Sequence, residues 1–182
     1  KAELISKLKG KTVLLIAPGK SSVEEKGKII SFVDDSVVTV SINHNYLNLN
    51  TDYIFLSNLR RFRDLDMASR NKCIVTSNIP AKDVYIQTNY RDLLFDIDFV
   101  KDNAGLMAIK FFVQMGIKKI YLAGFDGYSH DERENYGESS MAFVTRSAVL
   151  DAMNRGMIEG LEKCCKTVKI EFLTSPRYVI LT

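Results

Sequence analysis

AGFDGYSHDERENYGE, from Ala123 to Glu138, follows an apolar run and crowds Asp126, Tyr128, His130 and further acids into one polar loop. An imidazole titrates near neutral pH, so His130 can act as a general base, while Asp126 can hold a ribose hydroxyl or a metal-bound water. These two are the catalytic candidates. The competing reading of His130 is a solvated loop residue, because no nucleophile stands at a fixed spacing from it. His44, beside the end of an apolar run, is a weaker candidate.

Binding candidates cluster where apolar runs stop. VLLIAPGKSS breaks at Pro18-Gly19, and the helix expected after Lys20 would offer unpaired N–H groups to an anion near Gly19, Ser21 and Ser22. The spacing is neither that of a P-loop nor of GxGxxG, and the alternative is a turn with a serine cap. Asn43 and Asn58 each close an apolar run, where a carboxamide could read a base edge or ribose hydroxyls, or merely shape a turn. Asn103-Ala104-Gly105 opens a helix and could seat a second anion, with Asn103 as its cap in the plainer reading. Arg60, Arg61 and Arg63 read as a solvated helix face. There is no HExxH, paired histidine or cysteine cluster, so no metal site is assigned; only loosely spaced acids could hold Mg²⁺ through a ligand's phosphates.

These residues need elements to hold them. TVLLIA, SVVTVSI, DYIFLSN, KCIVTSN, DVYIQTN, KKIYLAG and VKIEFLT read as strands, and YVIL as an edge strand. Helices are expected over the opening KAELISKLKGK and over SVEEKGKIISFV, capped by Ser21 or Ser22. A third is expected from Asn103 to Met115, with Ala104, Ala108, Phe111, Phe112 and Met115 on one stripe, and a fourth from Ser140 to Lys163, weakened by Gly156 and Gly160. Alternating strands and helices predict a Rossmann-like three-layer α/β sandwich with a mostly parallel central sheet and ligands beyond the strand carboxyl ends.

The 182 residues, 46% hydrophobic and 26% charged, suit a single domain spanning 1–182. A net charge of +3 is too small for a nucleic-acid surface, and no run is long enough to span a membrane. Three cysteines, two of them adjacent, fit a reducing cytoplasm. The opening helix at Lys1 reads as a lead-in, making the chain the C-terminal part of a longer protein.

APGKSS after a buried strand, Asn43 and Asn58 closing the next two, NAGLMAIKFFVQMGIKKIYLAGFDGY and a last strand entering TSP together resemble the nucleotide-binding core of bacterial CMP-sialic-acid-dependent sialyltransferases and related pterin pyrophosphokinase-like proteins. The resemblance implies that Gly19 and Ser21 line a phosphate end and that Asn43 and Asn58 touch nucleotide or sugar. It further implies that Asn103 and Gly105 lie under a phosphate, and that Gly124, Asp126 and Tyr128 face the nucleoside. The family's first turn reads Gly-Asn-Gly-Pro-Ser where this chain has Ala17-Pro18-Gly19-Lys20-Ser21. KLKGKTVLLIAPGKSSVEEK and TDYIFLSN also resemble the C-terminal domain of bacterial 4-hydroxy-2-oxovalerate aldolase-like (HMG-CoA-lyase-like) proteins linked to surface-polysaccharide synthesis. The expectation is a nucleotide or nucleotide-sugar binding domain, glycosyltransferase-like, in bacterial surface glycan biosynthesis. Two alternatives stand beside it: a non-catalytic accessory domain of an upstream aldolase-like barrel, and a pyrophosphokinase-like enzyme needing Mg²⁺ and ATP.

Overall fold

The computed structural model describes residues 1–142 and 146–178. The apolar runs form seven strands: β1 (Thr12–Ile16), β2 (Val37–Ile42), β3 (Tyr53–Leu56), β4 (Cys73–Thr76), β5 (Ile86–Thr88), β6 (Lys119–Ala123) and β7 (Lys169–Phe172). They make one sheet in the order β5-β4-β3-β2-β1-β6-β7, and every adjacent pair is parallel. Parallel strands covered on both faces need apolar side chains at successive positions, which is why these runs do not alternate. Val13 and Leu15 join one core with Phe111 and Phe112, while Leu14 and Ile16 join Ile29 and Tyr46 on the other face. The YVIL segment falls largely outside the described residues.

The helices are α1 (Ala2–Leu8), α2 (Ser21–Glu24), α3 (Lys26–Phe32), α4 (Leu59–Asp64), α5 (Tyr90–Leu93), α6 (Ala104–Gln114) and α7 (Ser147–Cys165). Helix α5 was not expected, and three of the expected helices depart from expectation. The helix after β1 is broken at Glu25 (φ −102, ψ 22), and Lys20 rather than a serine occupies its cap position, with no side-chain cap bond. The apolar stripe of α6 is wider than expected: Leu106, Met107 and Ile109 are as buried as Phe111, because the sheet covers one side and α7 another. Helix α7 starts at Ser147 instead of Ser140, after a single 3-10 turn at Ser139–Met141. Its glycines serve packing. A methyl group on Gly160 would sit 2.5 Å from Leu106 Cδ1, and one on Gly156 would sit 2.9 Å from Val100 Cγ2.

Strands step outward from β1 to β5 on one side, and α6 then carries the chain back to β6 on the other side of β1. This reversal leaves a crevice at the carboxyl ends of β1 and β6, where the flanking connections diverge.

Candidate functional site

A cavity of about 370 Å³ occupies that crevice, at the small end of the roughly 300–1,000 Å³ typical of ligand sites. Seven separate segments reach it: Gly19 after β1, Asn43 after β2, Asn58 after β3, Phe99 and Asn103 before α6, Gly124 and Asp126 after β6, Met153 of α7, and Tyr178. Gly105 and Tyr128 also lie on its wall, whereas Ser21, Ser22 and His130 do not.

The β1 turn holds no place for a phosphate. Ser21 N–H donates to Asp126 Oδ2 at 2.8 Å, and the Ser21 hydroxyl bonds Asp126 Oδ1 and Thr174 Oγ1. The Asp126 carboxylate therefore stands where the resemblance puts a ligand's anion, and two anions cannot share one seat. Ser22 Oγ donates to the Gly19 carbonyl at 2.7 Å, and its own carbonyl receives the Tyr46 hydroxyl at 2.6 Å. Gly19 is required by close approach, not by a turn: an added methyl would lie 2.2 Å from the Gly124 carbonyl oxygen. Burial raises the pKa of Asp126, and the bonds from Ser21 lower it in part.

The three asparagines share one arrangement. Asn58 Oδ1 caps α4, accepting from Arg60 N at 2.9 Å and Arg61 N at 3.3 Å. Asn103 Oδ1 caps α6 through Gly105 N at 3.0 Å and Leu106 N at 3.2 Å. Asn43, in the left-handed region at φ 62, accepts from Ser57 N at 3.4 Å. Each carboxamide oxygen thus serves the backbone, which orients the amide hydrogens as donors on the cavity wall. The capping and ligand readings are compatible, since they use different atoms. Asn103 Nδ2 lies 3.5 Å from the Tyr128 hydroxyl, which burial keeps protonated. Gly105 is covered by the Phe125 ring, 2.6 Å from where its methyl would be.

Arg60 and Arg61 line the cavity, because α4 begins at the carboxyl edge of the sheet; Arg60 and Arg63 are also exposed and Arg61 is half-buried, so the solvated face and the cavity wall coincide here. Among the described residues neither forms an ion pair with a carboxylate. Arg61 clips the connection after β6 across the site, donating to the Ser140 carbonyl at 2.9 Å and the Met141 carbonyl at 2.7 Å. The same connection is tied to the β1 turn by Gly137 N–H to the Pro18 carbonyl at 3.0 Å and by Lys20 to Glu134. The Tyr178 hydroxyl, also on the wall, is buried without a partner among the described residues. Reading the arginines as a solvated face did not disclose their place on the cavity wall; the asparagine cap at the strand end, two residues before Arg60, was the available signal.

His130 stands apart on the surface, with Nδ1 2.6 Å from Ser147 Oγ and Nε2 3.0 Å from Asp151 Oδ1. The ring and Asp151 are more than half exposed, and the pair does not border the cavity. Among the described residues no group of three His, Cys, Asp or Glu side chains is placed to hold a metal ion, and no helix is long and apolar enough to cross a membrane.

No protein-family model, curated protein or solved structure matches this chain. Fold and site define it as a Rossmann-like parallel α/β domain with a donor-rich cavity at the sheet's reversal point.

Proposed function

We propose that this domain binds a nucleotide or nucleotide-sugar across the carboxyl ends of β1, β2, β3 and β6. The observation that carries the reading is the convergence of cationic and amide donors on one wall of the switch-point cavity: Arg60, which has no carboxylate partner among the described residues, Arg61, whose guanidinium also holds two backbone carbonyls, and the amides of Asn43 and Asn58. A phosphate matches such donors, since it offers only acceptors and negative charge. The acidic Asp126 and Asp102 lie on other parts of the wall, so the ligand is bipolar in its demands: anionic at the α4 end and hydrogen-bond donating elsewhere. The likeness of Asn103 to Tyr128 to sialyltransferase cores supports a sugar attached to that phosphate. In this reading Asp126 orders the β1 turn through Ser21, and His130 has no part in binding.

Thermal-shift and calorimetric titration with CMP, UMP, AMP and GMP, each against its nucleoside, tests this. Binding stabilises the native state by linkage, so each nucleotide that binds should raise the melting temperature. Arg60→Ala should weaken nucleotides by about tenfold through the lost charge-assisted contact and leave nucleosides unaffected. His130→Ala should change neither. Absence of any shift at millimolar nucleotide would reject the reading in favour of an accessory module.

A further inference from the structure

One residue of the cavity wall carries a large apolar side chain that contributes little to the core. Phe99 has φ 64, in the left-handed region that is strained for a bulky side chain. Its neighbours impose this. Ile97 and Val100 are drawn into the core at 7% and 1% exposure, Phe95 N–H donates to the Lys101 carbonyl at 2.9 Å, and Asn103 N–H donates to the Val100 carbonyl at 3.0 Å. With those positions fixed inward, the chain between them turns outward. The Phe99 ring is left 60% exposed, at the cavity. Glycine would satisfy this backbone without strain, and little burial would be lost with the ring.

Asp102 lies on the same wall. The Tyr90 hydroxyl donates to its Oδ2 at 3.0 Å, which orients the carboxylate and leaves Oδ1 as an acceptor. The wall thus joins a flat apolar surface to one carboxylate acceptor. It belongs to the α6 side of the sheet, whereas α4 and Arg60 belong with Phe62 to the opposite side, so the two ends of a ligand would be gripped from opposite faces.

We propose that Phe99 is the stacking surface for a nucleobase and that Asp102 accepts a hydrogen bond from the exocyclic amino group of that base, so the site selects cytosine, adenine or guanine over uracil. The inference rests on the nucleotide reading above and fixes its direction: base at Phe99, phosphate at Arg60, ribose between them near Asn103 and Tyr128. A base offers a π face to an aromatic ring, and a carboxylate that can only accept pairs with an amino group. Uracil has no exocyclic amino group: it offers the carboxylate only its ring N3–H, and turns a carbonyl oxygen, acceptor against acceptor, where cytosine places its amino group.

Calorimetric titration of the whole chain with CMP, AMP, GMP and UMP provides the test. Wild type should bind the three amino-bearing nucleotides about tenfold more tightly than UMP. Phe99→Gly and Phe99→Leu should each weaken all four by about tenfold, while Phe99→Tyr retains affinity, because the ring face and not bulk is required. Phe99→Gly should melt no lower than wild type, which separates lost stacking from lost folding. Asp102→Asn, its oxygen held by Tyr90 and its amide turned to the ligand, should shift preference toward UMP. Nucleotide binding that is indifferent to Phe99→Gly, or equal for UMP and CMP, overturns this inference alone. Failure of wild type to bind any of the four overturns the nucleotide reading and this inference with it.

Discussion

Ser21 and Asp126 are separated by 105 positions in the chain, yet they satisfy one another so fully that neither is left for a ligand phosphate. The pair closes the β1 turn onto the end of β6 and draws Thr174 into the same network, which also receives the Gly124 N–H at 2.8 Å. Ser21→Ala removes the hydroxyl and leaves a buried carboxylate with only a backbone donor, at an expected cost of about 1–3 kcal/mol. The cost should depend on pH. Burial already raises the folded pKa of Asp126, so its protonated form favours the fold below the unfolded value of roughly 3.9, and that advantage is lost as pH rises through the folded value. Without the Ser21 hydroxyl the folded value rises further, and the ionised state above it is penalised more. Urea denaturation of Ser21→Ala against wild type should therefore show a larger deficit at pH 7 than at pH 4. An equal deficit at both would mean that Asp126 is not the group through which Ser21 acts.

At the scale of elements, helix α7 and its glycines carry the same logic into packing. Gly160→Ala gains about 1 kcal/mol of helix propensity but drives a methyl into Leu106, and overpacking of about 1–3 kcal/mol should win. Gly27→Ala in α3 has nothing within 4 Å of the new methyl and should raise the melting temperature. If both substitutions stabilise, α6 and α7 are not in the close contact described. This contrast also marks what a sequence can disclose. The seven strands were legible, because burial on both faces leaves an apolar signature within each run, and the cavity's place followed from the strand ends. Asn43 and Asn58 were legible as the ends of such runs, and Asn103 as the cap of the amphipathic helix it opens. The Ser21–Asp126 bond was not, since nothing local announces a partner in the connection after β6. Arg60 and Arg61 were legible as solvated charges but not as cavity lining, because charge on a short helix says nothing of which end of the sheet that helix begins at. Phe99 was invisible, its signal being a backbone angle set by Ile97 and Val100.

Across the whole molecule the two faces of the sheet are unequal. On the α6 side a single apolar cluster reaches from Ile170 of β7 through Leu15 and Phe55 to Ile74 of β4. On the other side the apolar contacts fall into two clusters, one around Ile54, Leu56 and Phe62, the other around Leu14, Ile16 and Ile29. Between them β2 presents Thr39, bonded through its amide and hydroxyl to Asp52 at 2.8 Å each, and Ser41, 3.3 Å from Thr51 Oγ1. The β3–β4–β5 side, with α4, is therefore joined to the remainder by apolar packing on one face only. Regions with fewer apolar contacts open at lower free energy than the global transition, so amides of β4 and β5 should exchange faster than those of β1 and β6. A nucleotide held between Arg60 on α4 and Phe99 before α6 would bridge the two parts, and at one hundred times its dissociation constant it stabilises the closed form by about 2.7 kcal/mol. Hydrogen exchange with and without a bound nucleotide should then show protection gained in α4, β4 and β5 well beyond the cavity. Protection confined to cavity-lining amides, or uniform exchange across all seven strands without ligand, would show that the sheet opens as one unit.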